Sequence, residues 1–204
     1  MRILLIGPQG SGKGTQAQLL SKKLGMQTLS TGEILRKAYS NKTKVGIQAH
    51  EYWGKGILVP DDVITMLLKE ELPDDFILDG YPRNLNQAKI LDEIARPDMA
   101  ILITIPDNIT LERLSGRLQC RKCGNIHGTK ALIPKVEGKC DKCGGELYTR
   151  EDDKPEAIKK RLDIYHKETE PMVDYYRKKG IVKEVNGDGP VEEVFQAISK
   201  LFKH

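Results

Sequence analysis

The segment Gly7-Pro8-Gln9-Gly10-Ser11-Gly12-Lys13-Gly14-Thr15 sets four glycines around a single lysine. Such a loop lets backbone N–H groups turn toward phosphate oxygens, and Lys13 adds a point charge. A strict phosphate-binding loop carries Ser or Thr directly after the lysine to ligate magnesium. Here Gly14 holds that place and Thr15 follows. A Gly-rich turn of purely structural use is the competing reading. The loop's place after an apolar run and before a helical pattern favours phosphate, and so a bound nucleoside triphosphate. Phe76-Ile77-Leu78-Asp79 is an apolar run ending in a carboxylate. An acid that organises Mg2+ through water belongs at such a strand end, although a turn or cap residue would also suit it.

A second chemistry lies in Cys120-x-x-Cys123 and Cys140-x-x-Cys143, with the 16 residues 124–139 between the pairs. That spacing suits a four-thiolate zinc site, and four protein ligands leave no open position, so the zinc is expected to be structural. Iron or cobalt could occupy the same thiolates. Free thiols or two disulfides are the alternatives, and in a cytosolic chain the pattern speaks for metal. A nucleic-acid-binding zinc ribbon is a further rival, but no run of interleaved basic and aromatic residues accompanies the cysteines.

These groups need a scaffold. Ile3 to Ile6 forms a short branched apolar run suited to a buried parallel strand. Beyond the loop, Ala17, Leu20 and Leu24 recur at helical spacing, and Gly25 stands where a C-terminal cap belongs. Apolar runs at 76–78, 100–103 and 181–182 then alternate with helical patterns at Val63 to Leu72, Leu85 to Ile94 and Val191 to Leu201. This predicts an α/β fold with a wound parallel sheet. Asp61 after Pro60, Asp107 after Pro106, and Pro190 mark helix starts, while Pro171 should break or kink the pattern from Glu156 to Lys179. Residues 30–59 read as helices without a strand. Residues 116–153 are rich in Gly, Cys and Lys. Both are expected to be insertions on a core of 1–29, 60–115 and 154–204.

The string Leu78-Asp79-Gly80-Tyr81-Pro82-Arg83-Asn84-Leu85-Asn86-Gln87-Ala88 resembles the signature of adenylate kinases, with Tyr81 in place of Phe and Asn84 in place of a frequent Thr. Lys13-Gly14-Thr15-Gln16 resembles that family's form of the loop. Ser30 to Arg36 looks like the start of its monophosphate-site helix, Leu58 to Asp61 like the end of that insertion, and Arg113 to Arg117 and Tyr148 to Asp153 like the borders of its mobile lid. The resemblance covers essentially the whole chain. It implies a P-loop core with an AMP-binding insertion at 30–59 and a lid at 116–153.

By the same resemblance Thr31, Arg36, Ile57, Leu58, Val59, Gly80, Tyr81, Pro82, Arg83 and Gln87 would hold AMP, with Gln87 reading the adenine edge. Gly10, Ser11, Gly12, Lys13, Gly14 and Thr15 would hold ATP together with Arg117, Ile126, His127 and Gly189. His127 stands where the family commonly has Tyr, and Leu118 replaces a frequent second Arg. Lys13, Arg83, Arg117, Arg150 and Arg161 would close around both phosphate chains, the last two touching the AMP side as well. Phosphoryl transfer rests on alignment and charge stabilisation, so no protein nucleophile is expected.

The expected reaction is reversible, Mg2+-dependent transfer from ATP to AMP giving two ADP. A UMP- or CMP-type kinase is the nearest alternative, and a nucleotide-dependent RNA-binding module a more distant one. Composition describes a soluble globular protein, with 204 residues, 39% hydrophobic and 30% charged, and the net charge of +4 is one that phosphate-gripping arginines would themselves produce. No apolar stretch approaches the roughly 20 residues needed to span a bilayer, and the N-terminal run is too short for a secretory leader. The expectation is therefore a cytoplasmic monomer with neither membrane nor nucleic-acid partner.

Overall fold

The computed structural model describes residues 1–53, 55–69, 71–128 and 132–202. In chain order the elements are β1 (Arg2–Ile6), α1 (Lys13–Leu24), β2 (Gln27–Ser30), α2 (Thr31–Ser40), α3 (Lys44–Trp53), α4 (Asp61–Lys69), β3 (Phe76–Asp79), α5 (Leu85–Ala95), β4 (Met99–Thr104) and α6 (Asp107–Ser115). There follow β5 (Leu118–Cys120), β6 (Ile126–His127), β7 (Leu147–Tyr148), a 3-10 turn (Glu151–Asp153), α7 (Pro155–Ile164), a π-helical turn (Tyr165–Thr169), α8 (Glu170–Lys178), β8 (Val182–Asn186) and α9 (Val191–Lys200).

Ile3, Leu4, Leu5 and Ile6 are all buried, and the period of two sends them alternately to opposite faces of the sheet. Ile3 and Leu5 join Ile77, Ile101 and Ile103 under Ala17 and Leu20 of α1 and Val194 and Ile198 of α9. Leu4 and Ile6 join Phe76, Leu78 and Leu102 under Leu68 of α4, Leu91 of α5 and Met172 and Tyr176 of α8. A strand covered on both faces can carry a continuous apolar run, and this is why the sequence does not alternate there. The sheet is parallel, in the order β2-β3-β1-β4-β8. Connections leave β1 toward β2 and β3 on one side and reach β4 and β8 on the other. The carboxyl ends of β1, β3 and β4 therefore flank a crevice of the kind in which doubly wound sheets bind ligands.

The expected strands and helices are present, with instructive differences. β2 carries a single buried residue, Leu29, and so lacks an apolar run that could announce it. β8 extends past Ile181-Val182 to Asn186, since an edge strand can leave Lys183 and Glu184 exposed. The helical pattern expected at Val63 to Leu72 runs to Lys69 as α4, and Glu70 within it lies outside the described residues.

Pro171 is the second residue of α8, and the disturbance falls in the turn before it. Proline lacks the N–H that would bond back to residue 167 and its ring crowds that carbonyl, so residues 165–169 widen into a π turn and the helical path continues. Residues 118–148 hold a second sheet, β6-β5-β7, which is antiparallel. Its small core is Cys120, Cys140 and Leu147, with Leu118 packed against it. No helix among the described residues is long and apolar enough to cross a membrane.

Candidate active site

The loop between β1 and α1 presses against β4. A Cβ on Gly7 would lie 2.2 Å from the Ile103 carbonyl oxygen, and its φ of +148° is one that side chains disfavour. Lys13 folds its ammonium over the loop, donating to the carbonyls of Gly7 (2.8 Å) and Pro8 (2.7 Å). Gly14 faces Asp79, where an added Cβ would stand 3.4 Å from Oδ2. The loop and the carboxylate at the end of β3 are thus neighbours, as expected from their types.

Around them opens a cleft of about 690 Å³. It brings together Gly10 to Thr15, Thr31, Arg36, Ile57 to Val59, Asp79 to Tyr81, Arg83, Gln87, Arg117, Ile126, His127, Arg150, Arg161 and Gly189. Pro82, joined to Tyr81 by a cis peptide, is buried behind this lining. Thr31 Oγ1 donates to Gly80 O at 2.9 Å, and Arg83 Nε donates to the same carbonyl at 2.8 Å. That one oxygen ties the start of α2 to the turn after β3. Arg36 lies over Gly32, where a Cβ would be 3.1 Å from Nη2. His127 is buried, with Nε2 3.0 Å from Asn125 Nδ2.

Electrostatically the cleft is short of negative charge. Burial foremost, with Arg83, Arg161 and Arg117 adding to it and Asp79 opposing, pulls Lys13 down to about 8. Burial, then the positive charges of Arg117 and Arg36, pulls Arg150 down to about 9, and burial likewise lowers Arg83 and Arg161. A guanidinium keeps its proton. The physical content is that crowding these cations out of water is unfavourable until an anion such as phosphate arrives.

Residue patterns alone did not assign roles to the groups that hold these cations. Arg117 Nε donates to Asp153 Oδ2 at 2.7 Å, while its Nη2 donates to Oδ1. Arg161 Nη1 donates to the Asp152 carbonyl at 2.9 Å and pairs with Asp152 Oδ2 at 3.0 Å. Burial pushes Asp152 up, but Arg161, Arg117, Arg150 and Arg36 outweigh it and hold the carboxyl below its ordinary range. Gln119 of β5 accepts from Arg150 Nε at 2.7 Å and from Tyr148 OH at 3.1 Å. Arg113 donates to the carbonyls of Gly10 (3.3 Å) and Gly187 (3.1 Å), fastening the loop between β1 and α1 to the turn before α9. The signal available for Asp152 and Asp153 was their adjacency to Arg150. For Gln119 there was none, since its partner lies across the small sheet.

The four cysteine sulfurs converge, all within 4.8 Å of one another, with Cys120–Cys143 at 3.5 Å and Cys123–Cys140 at 3.6 Å. Disulfide bonds are excluded at such separations, whereas a tetrahedron of ~2.3 Å metal–sulfur bonds puts its sulfurs ~3.7 Å apart. Gly145 completes the cradle, because a Cβ there would come within 2.9 Å of Cys120 Sγ.

Comparison with known proteins agrees with this geometry. The sequence model of the adenylate kinase family matches residues 5–181. An adenylate kinase of Thermodesulfovibrio yellowstonii is 45% identical over 213 residues, covering 100% of this chain and 99% of the relative. Adenylate kinases of Methanothrix thermoacetophila (45% over 211 residues; 98% of each chain) and Archaeoglobus fulgidus (44% over 213 residues; 100% of this chain, 98% of the relative) are similarly alike.

Proposed function

The chain belongs to the adenylate kinase family, and we infer from this that it catalyses reversible phosphoryl transfer from ATP to AMP, giving two ADP. The observation that carries the reading is the convergence of Lys13, Arg83, Arg117, Arg150 and Arg161 on one cleft from the core and from the segment bearing the small sheet. One polyanion per binding loop would need fewer cations. Two phosphate chains meeting end to end need them all, because the transferred group spreads its charge over several oxygens as it passes.

In this reading the loop from Gly10 to Thr15 cradles the ATP phosphates, with Ile126, His127 and Gly189 near its base. AMP lies against Thr31, Arg36, Ile57 to Val59, Gly80, Tyr81 and Gln87, with Pro82 supporting that wall from behind. Arg83, Arg150 and Arg161 bridge the two nucleotides. Asp79 would hold Mg2+ through water, and the ion would supply neutralisation of phosphate charge when bound with ATP. Residues 1–29, 60–115 and 154–204 form the core, 30–59 the AMP-binding insertion and 116–153 a lid. The lid excludes water that would otherwise accept the phosphoryl group.

Zinc in the four-cysteine cluster would be structural, since its ligands leave no open position and the lid sheet has little core of its own. Cys120, Cys123, Cys140 and Cys143 would each supply one thiolate. The chain is read as a cytoplasmic monomer without a nucleic-acid partner, which light scattering and a salt-dependent RNA-binding assay would test. The substrate assignment is tested by offering AMP, UMP and CMP at equal ATP. AMP should give the highest kcat/KM, and a preference for a pyrimidine monophosphate would overturn it.

A further inference from the structure

Gln87 is only 2% exposed, yet it lines the cleft. Its amide is held at both ends. The Arg83 backbone N–H donates to Oε1 at 2.8 Å, and Nε2 donates to Asp61 Oδ1 at 2.7 Å. A backbone N–H can only donate and an ionised carboxylate can only accept, so these partners dictate which end of the amide is oxygen. Asp61 itself stands outside the cleft lining, at the first turn of α4, and also accepts from Asn84 Nδ2 (3.0 Å) and Asn86 Nδ2 (2.7 Å). Those amide bonds from Asn86, Asn84 and Gln87 outweigh the burial that pushes Asp61 up, and keep the carboxyl below its ordinary range.

We propose that Asp61 is a positioning residue for base specificity, locking the Gln87 amide in the orientation that accepts a 6-amino purine and opposes a 6-oxo purine. The proposal rests on the reading that Gln87 faces the base of the monophosphate. Each end of the amide keeps one free valence, a lone pair on Oε1 and an N–H on Nε2. Adenine offers an amino donor beside a ring-nitrogen acceptor, which matches that pair. Hypoxanthine offers an oxygen acceptor beside an N–H donor, and matches only if the amide flips. A flip would set the NH2 against the Arg83 N–H and the amide oxygen against the Asp61 carboxylate. These are two like-with-like contacts in a buried place. Discrimination then comes partly from a carboxylate that does not touch substrate.

The test measures kcat/KM for AMP and IMP, with ATP as donor, in the unsubstituted chain, Asp61→Asn and Asp61→Leu. Asn keeps an acceptor oxygen facing Gln87, whereas Leu keeps the size and removes the acceptor. The AMP:IMP ratio should stay within about three-fold in Asp61→Asn and fall about ten-fold or more in Asp61→Leu, the loss expected for a hydrogen bond to a charged group. A ratio unchanged in Asp61→Leu, or lowered as far in Asp61→Asn, overturns the proposal. Structural damage alone would lower both substrates together and leave the ratio unmoved.

Side-chain amide exchange of Gln87, followed by NMR in the unsubstituted protein, gives an independent arm. Slow exchange with solvent is expected, and rapid exchange would contradict the lock. If the unsubstituted chain phosphorylated neither AMP nor IMP, the functional reading would fail instead, and amide exchange would still decide the lock.

Discussion

Lys13 brings a buried ammonium to the cleft. Burial and neighbouring arginines set its pKa at about 8, below the ordinary lysine range. In the empty protein the buried charge is unfavourable below that pH, and the penalty fades as pH rises and the amine loses its proton. A bound phosphate reverses the preference by favouring the charged form. ATP affinity should therefore be greatest below pH 8 and weaken as pH climbs through it, with binding near pH 8 to 9 taking up a proton. Calorimetry in buffers of different ionisation enthalpy measures that uptake, and a heat independent of buffer would contradict it.

Asp153 lends itself to a second residue-level test, because its fully buried side chain receives Arg117 through two bonds and Arg161 through another. Asp153→Ala should cost about 3 kcal/mol in urea denaturation, since it strands buried cations, and ATP should restore part of that by replacing the carboxylate. A variant of unchanged stability would remove Asp153 from the network. For Asp152 the sign is that of a depressed carboxylate: its stabilisation is complete above the unfolded pKa of about 4 and disappears as pH falls through the lower folded value. At this scale the sequence exposed the cations and hid their holders. Lys13, Arg83 and Arg117 stand in recognisable strings, but Gln119, Asp61 and Asp153 act through partners 31, 26 and 36 residues away.

Among the elements, the loop between β1 and α1 tolerates little change. Gly7→Ala would drive a methyl group into the Ile103 carbonyl, so β1 or β4 must shift. A cost of about 2–4 kcal/mol is expected from overpacking and the disfavoured φ, read as a lowered denaturation midpoint. The cysteine-bearing sheet makes the opposite prediction, of local rather than global loss. With the proposed zinc bound, a chelator that removes it should abolish hydrogen-exchange protection across 116–153 while leaving β1, β3 and β4 protected. Loss of protection throughout the chain would mean that the cluster supports the core as well.

The central strands were legible because burial on both faces requires long branched apolar runs, as in Ile3 to Ile6 and Ala100 to Ile103. β2 was not, with one inward residue, and neither was the small sheet, whose strands of two or three residues are organised by the sulfur cluster and glycine turns instead of by apolar pattern. The break or kink expected at Pro171 takes the form of a π turn over 165–169. This keeps α7 and α8 in one helical path, and Thr169 Oγ1 in that turn donates to the Arg83 carbonyl at 2.7 Å.

Across the whole molecule, the sheet places its strand ends on one side and the two irregular segments meet over them. His50 of α3 reaches Glu151 of the 3-10 turn at 2.9 Å, joining the segment at 30–59 to the border of the segment at 116–153. The cleft between them collects positive charge from both and from the core, which no single element could supply. That arrangement is the basis of the account, and ADP formation tests it most directly. By 31P NMR, purified chain with Mg2+ should bring ATP plus AMP, or ADP alone, to the same mixture of three nucleotides. Arg83→Ala and Arg150→Ala should each slow the approach by about 10²–10³-fold, the effect of removing one positioned donor from a developing charge. Nucleotides left unchanged by the unsubstituted chain, or either variant turning over at full rate, would contradict it.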